Sequence, residues 1–177
     1  MSIAENIENA GIVIPTLEEI YGTNPSGARY ITHRAIGETL YLTGTCPAKD
    51  GKPFMTGVLG EELTVEQGYQ AARQAALCNL GILKHVIGDL ERVVQFVQLI
   101  GHINSGPGFA DQPRVLNGAS DLFLEVFGEK AWSTRAAIGC RGIAVNHSVE
   151  LILTVQYDGG KLAEPTMRGA FAGYSQP

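Results

Sequence analysis

Residues 132–157 read WSTRAAIGCRGIAVNHSVELILTVQY, and two apolar runs within them, TRAAIGCRGI and SVELILTVQY, flank the polar break AVNH. Their β-branched content and short length predict two strands. Arg135 stands at the head of the first run, among small and apolar neighbours. A guanidinium on such a strand must find an anion or reach solvent. Its planar fork matches a carboxylate bidentately, and a charge-assisted hydrogen bond contributes about 1.5–3 kcal/mol. Two readings stand side by side at this point: a structural ion pair with Glu150 on the following strand, or a grip on a ligand carboxylate.

Working outward, RYITHRAIGETLYLTG (29–44) gives two strand-like runs around a turn at Gly37-Glu38, a hairpin. Thr64 and Gln67 form a capping box that opens a helix on which Val65, Tyr69, Ala72, Ala76, Leu80 and Leu83 share one face. Its alanines permit close approach to a sheet. LERVVQFVQLIGHI (90–103) is too short and too β-rich to span a membrane and predicts a buried strand after a break at Gly88-Asp89. Pro113 suits the first turn of a second helix with Leu116, Ala119, Phe123 and Phe127 on its apolar face, ended by Gly128.

The predicted order is therefore strand, strand, helix, strand, helix, strand, strand. That order implies an α+β domain with two helices on one face of a mixed sheet. Three segments follow: residues 1–28 as a short helix (2–10) and an arm with a linker at YGTNPSGA (21–28), residues 29–157 as the α+β domain, and residues 158–177 as a Gly/Pro-rich tail without assigned structure. No helix remains to cover the second sheet face, which suggests self-association.

The chain has 177 residues, a formal charge of −5 and no basic cluster, which counts against nucleic acid and membrane surfaces as partners. Its acidic start and the short apolar run Ile12–Ile14 do not make a signal peptide, so a cytoplasmic location is expected. Three cysteines, Cys46, Cys78 and Cys140, are read as reduced thiols, and four dispersed histidines give no metal-ligand spacing, so no metal is expected. NSGPGFAD (104–111) lacks the third glycine and the lysine of a phosphate loop and reads as a shaped strand-to-helix turn. No G-x-S-x-G is present to make a nucleophile elbow.

These residues resemble the reactive intermediate deaminase (Rid, YjgF-type) family, formerly called endoribonuclease L-PSP. Its threads, G-N-x-L-x-x-S-G, V-N in a late helix, P-A-R and V-E-I-E, are matched by GETLYLTG, VLNGASDLF, STRAAIG and SVELIL, with Tyr30 as the aromatic near the first strand. GHINSGPGFADQPRVLNGASDLFLEVFG (101–128) resembles a branch with long N-terminal arms. The resemblance implies a chorismate-mutase-like fold, a homotrimer with clefts between subunits, no cofactor, and hydrolysis of small enamine and imine acids of the 2-aminoacrylate type to 2-keto acids and ammonia. It casts Arg135 as the carboxylate grip and Glu150 as the acid that positions water. It places Thr43, Gly44, Tyr30 and Asn117 at the pocket for the small-molecule carboxylate substrate.

The sequence departs from the family pattern at Ala137, Ser133 and Ile152, and Arg141 adds a cation. The competing reading is a non-catalytic trimer that binds or senses a small carboxylate in the same inter-subunit cleft. A holdase-like or RNA-directed trimer is disfavoured by the acidic balance.

Overall fold

The computed structural model of the protein describes residues 1–21 and 28–168. The N-terminal segment carries α1 (Ile3–Asn9) and α2 (Leu17–Tyr21). The strands β1 (Tyr30–Ile31), β2 (His33–Ile36), β3 (Thr39–Leu42), β4 (Ala48–Lys49) and β5 (Lys52–Pro53) follow. The chain continues through α3 (Val65–Ile87), β6 (Val93–Asn104), α4 (Gln112–Phe127), β7 (Thr134–Cys140), β8 (Val149–Tyr157) and β9 (Met167–Arg168).

Local sequence explains the boundaries of the long elements. Thr64 accepts from the Gln67 amide at 3.2 Å while Gln67 Oε1 accepts from the Thr64 amide at 2.9 Å, which starts α3 as expected. Gly128, at φ +57°, stops α4, and Gly37, at φ +56°, turns β2 into β3. β6 and β7 run parallel, so a crossover through α4 must join them rather than a tight turn.

The main sheet has the order β2-β3-β8-β6-β7 and is antiparallel except for β6 and β7. This is the expected α+β arrangement, a mixed sheet with helices. One sheet face meets α3 and α4. A β-carbon on Gly101 would strike Leu116 of α4, and one on Gly118 would strike the Tyr69 carbonyl of α3, so glycines set both distances of approach. Phe96 meets Phe123 and Phe127 with ring centroids 4.9 Å apart in both pairs. Truncating Phe123, which is fully buried, to alanine removes about 3–5 kcal/mol of stability.

On the other sheet face lie Tyr41 and Ile138, 46% and 43% exposed, and the half-buried Ile100 and Ile152. No element among the described residues covers them.

Two segments differ from expectation. Tyr21 closes a second helix rather than opening a linker, while residues 22–27 of the expected linker lie outside the described residues. The tail contributes a strand: Met167 and Arg168 pair with Ile31 and Tyr30, and the Thr32 amide donates to the Thr166 carbonyl at 3.1 Å. A two-residue pairing carries too little periodicity to be read from sequence.

The N-terminal arm is fastened to the helical layer. Asn6 Nδ2 donates to the Val126 carbonyl at 2.9 Å, and further on the Gly51 amide donates to the Glu19 carbonyl at 2.8 Å. Pro15 and Ile20 of the arm press on α3 at Gly81, where a β-carbon would strike both.

Candidate functional site

β3 ends at Leu42, and the backbone rejoins β8 at Thr45, whose amide donates to the Leu151 carbonyl at 2.8 Å and whose carbonyl accepts from the Leu151 amide at 2.9 Å. That pairing lays Gly44 beside Glu150. Glu150 Oε1 occupies the place a β-carbon of residue 44 would take, so a carboxylate can lie on this backbone only because residue 44 is glycine. Thr43 precedes it, its carbonyl accepting from Thr45 Oγ1 at 3.1 Å.

These residues wall a cavity of about 340 Å³ that Tyr30 also lines. Four of the six residues singled out in the sequence, Tyr30, Thr43, Gly44 and Glu150, therefore share one cavity. Arg135 and Asn117 lie elsewhere. Arg135 Nη1 donates to Asn117 Oδ1 at 2.8 Å and to Ser120 Oγ at 3.0 Å, both on α4.

Register explains the separation. Arg135 stands opposite Leu99, whose buried side chain belongs to the helix-facing core. Glu150 stands opposite His102, one step out of phase with Gly101, whose α-carbon faces Leu116. The two charged groups thus project from opposite sheet faces, with β6 between their strands. The ion pair between Arg135 and Glu150 is thereby excluded within one chain: β8 follows β7 in sequence but does not neighbour it. Arg135 is instead an exposed cation whose Nη1 is held by two neutral oxygens, which leaves Nη2 and Nε to meet an anion.

The cavity also contains residues that sequence reasoning passed over: Cys46, Lys52, His147, and from the arm Ile20 and Tyr21. Burial pushes the Cys46 thiol far up, with the Glu150 charge adding to the shift, so it stays protonated and is a poor nucleophile. Burial holds His147 below the ordinary histidine value and therefore neutral at pH 7, and its Nδ1 is buried without a hydrogen-bond partner among the described residues. His147 stands three residues before Glu150, and that closeness was the available signal.

The lip at Val145 and Asn146 is left-handed, φ +59° and +56°, a conformation that costs a β-branched residue free energy. Buried Asn104 supports it: Nδ2 donates to Asn146 Oδ1 at 3.3 Å, and Oδ1 accepts from the Gly142 amide at 3.0 Å.

The glycine loop 104–111 is a strand-to-helix turn, leading from the end of β6 to the start of α4. A β-carbon at Gly106 would strike the Glu61 carboxylate, so the backbone there is covered by an acid and offers no anion cradle. Among the described residues, no cluster of three or more His, Cys, Asp or Glu is placed to hold a metal ion. No described helix is long and apolar enough to cross a membrane.

Comparison with known proteins agrees with this fold. The sequence model of the family described as "YjgF/chorismate_mutase-like, putative endoribonuclease" matches residues 9–155. Protein TCP17 of Trypanosoma cruzi is 36% identical over 155 residues, covering 87% of this chain and 93% of that protein. The crystal structure of Atu1372 from Agrobacterium tumefaciens, a protein of unknown function, superposes with a TM-score of 0.77 at 31% identity, covering 88% of this chain and 92% of that one. A Shewanella oneidensis MR-1 structure carrying the same endoribonuclease description gives a TM-score of 0.81 at 29% identity, covering 88% and 99%.

Proposed function

The chain belongs to the YjgF/chorismate mutase-like family, and on that premise we propose that it hydrolyses small imine and enamine acids to 2-keto acids and ammonia, at a site assembled between two copies in a homotrimer. The observation that carries this reading is the split of the six residues. Tyr30, Thr43, Gly44 and Glu150 line a cavity with an acid but, among the described residues, no guanidinium, while Arg135, held by Asn117, projects from the opposite sheet face. Each half lacks what the other holds. The apolar face bearing Tyr41, Ile100, Ile138 and Ile152 supports the association that brings them together.

In the assembled site, Arg135 of one copy binds the substrate carboxylate and so fixes the imine carbon over the neighbour's Glu150. Glu150 takes a proton from water as its oxygen bonds to that carbon, and the C=N electron pair moves to nitrogen, which is protonated. The tetrahedral adduct then loses ammonia as the C–N bond breaks and the carbonyl forms. Water is consumed and neither oxidant nor cofactor enters. The missing side chain at Gly44 leaves the carboxylate its room, and Asn117 and Ser120 hold the guanidinium in one orientation.

A coupled assay tests this reading. A pyridoxal-phosphate dehydratase generates the imine acid in situ, and release of 2-keto acid is followed with wild type, with Arg135→Ala and with no added protein. Acceleration by wild type alone supports deaminase chemistry. Saturable carboxylate binding that needs Arg135 but gives no turnover makes the protein a carboxylate sensor. The formal charge of −5 favours either over an RNA substrate.

A further inference from the structure

We infer that α2 of the N-terminal arm is the specificity wall of the cavity, and that Ile20 and Tyr21 select acids whose side chain is apolar and longer than a methyl group. The inference rests on the proposed function for the placement of the acid's carboxylate at Arg135, but not for the wall itself.

The observations begin with composition. The ammonium, imidazole and carboxylate side chains in the cavity are Lys52, His147 and Glu150, all of them outside the arm. What the arm adds is apolar and aromatic surface, Ile20 and Tyr21, in a cavity that Ala48, Pro53 and Val145 also line. A volume of about 340 Å³ exceeds what the smallest imine acids fill and falls within the range of small-molecule sites.

The wall is also built into the fold rather than draped over it. Ile20 is buried to 7% exposure, and its Cδ1 fills the space that any side chain at Gly81 would need. Pro15 O closes on the same glycine. Thr16 donates from its amide and hydroxyl to Glu19 Oε2 at 2.7 and 2.8 Å, which starts α2, and the Glu19 carbonyl accepts from the Gly51 amide in the turn between β4 and β5. The arm is thus tied on one side to the helical layer and on the other to the strand pair that carries Lys52 and Pro53. A side chain that touches this wall meets a surface already ordered, and each methylene it buries raises affinity about fourfold.

The test measures binding of pyruvate and of 4-methyl-2-oxopentanoate, the keto acids matching a short and a branched side chain, by calorimetry. Wild type, Tyr21→Ala and Gly81→Ala are compared, with circular dichroism to confirm folding. Hydrolysis of the imines made in situ from alanine and leucine by an amino-acid oxidase is followed in parallel.

Wild type is expected to bind the branched acid at least tenfold more tightly than pyruvate. Tyr21→Ala removes wall surface and Gly81→Ala pushes the arm from its seat, so in both the ratio of the two affinities falls towards one. Retained discrimination in both folded variants overturns the inference, as does absence of keto-acid binding by wild type. Discrimination without any hydrolysis removes the deaminase reading and leaves the wall in place. Hydrolysis of both imines with equal affinities does the reverse.

Discussion

Glu150 Oε1 lies where a β-carbon of residue 44 would stand, so the position of the acid in the cavity is set by the absence of a side chain at Gly44. Gly44 is half-buried, and it does not have the left-handed backbone that would strain a substitution. Gly44→Ala is therefore tolerated by the fold but not by the carboxylate, which must swing out of the cavity. Turnover is expected to fall about 10²-fold, the scale of a lost general base, with Tm unchanged within about 3 °C. Steady-state kinetics and a thermal melt check it. Full activity in the folded variant removes Glu150's fixed position from the mechanism.

A site divided between copies makes a different prediction for mixtures. Arg135→Ala destroys the guanidinium half, with KM rising about 10- to 100-fold for the loss of a charge-assisted contact. Glu150→Gln destroys the cavity half, and each variant alone is expected to be nearly inactive. Unfolded together in equal amounts and refolded, they form some interfaces with an intact Arg135 facing an intact Glu150, and about a quarter of wild-type activity returns. Recovery in the mixture with none in either parent locates the site between subunits. Its absence, with mixed oligomers verified by mass spectrometry, places both residues in one chain's site or in none.

Much of the architecture was written in local pattern. α3 and α4 were legible because Thr64 with Gln67, Pro113 and Gly128 mark ends by short-range hydrogen bonding and φ preference, and the apolar spacing marks their faces. The hairpin around Gly37 was legible for the same reason. The division of the site was not. Whether Arg135 shares a face with Glu150 depends on the register of β7 and β8 against β6, and β6 slips against β8 between Val93 and Gln95 and again between Phe96 and Gln98. One residue of slip reverses a face, and nothing local fixes it. The arm was hidden similarly, since the need for glycine at position 81 arises from Pro15 and Ile20, more than sixty positions away.

Asn79 offers a test of the core itself. It sits fully buried on α3, and neither its Nδ2 nor its Oδ1 has a hydrogen-bond partner among the described residues. A buried amide without partners loses its hydration and gains nothing in return, a cost of about 1–3 kcal/mol. Asn79→Leu replaces it with an apolar side chain of similar size and better helix propensity. Stabilisation of about 1–2 kcal/mol is expected from urea unfolding. Destabilisation instead indicates that the amide is used, by a bound water or by a second subunit.

His33 gives the protein a pH dependence whose sign follows from its surroundings. It is buried to 3% exposure, and its ring nitrogens pair with Thr32 Oγ1 and the Ala163 carbonyl, both at 3.1 Å, a pattern that one neutral tautomer satisfies by accepting at Nδ1 and donating from Nε2. Burial is the largest cause holding it below the ordinary value of 6.5. The Ala163 carbonyl and Glu164 pull upward, while His85 and Arg34 push the same way as burial. Burial lowers His147 as well. Above that ordinary value neither folded nor unfolded chain is protonated at these rings, and stability is at its full value. As pH falls below it the unfolded chain takes up protons that the folded chain refuses, so stability is lost at up to about 1.4 kcal/mol per unit and per histidine until the folded values are reached. Urea midpoints measured at about pH 7.5 and about pH 5.5 should therefore drop on acidification, and the drop should shrink in His33→Asn, which cannot titrate. Because His33 also binds the segment that leads to β9, the same acidification should speed proteolysis between residues 158 and 166 in wild type. An equal midpoint drop in wild type and His33→Asn would show that the proton is taken up elsewhere.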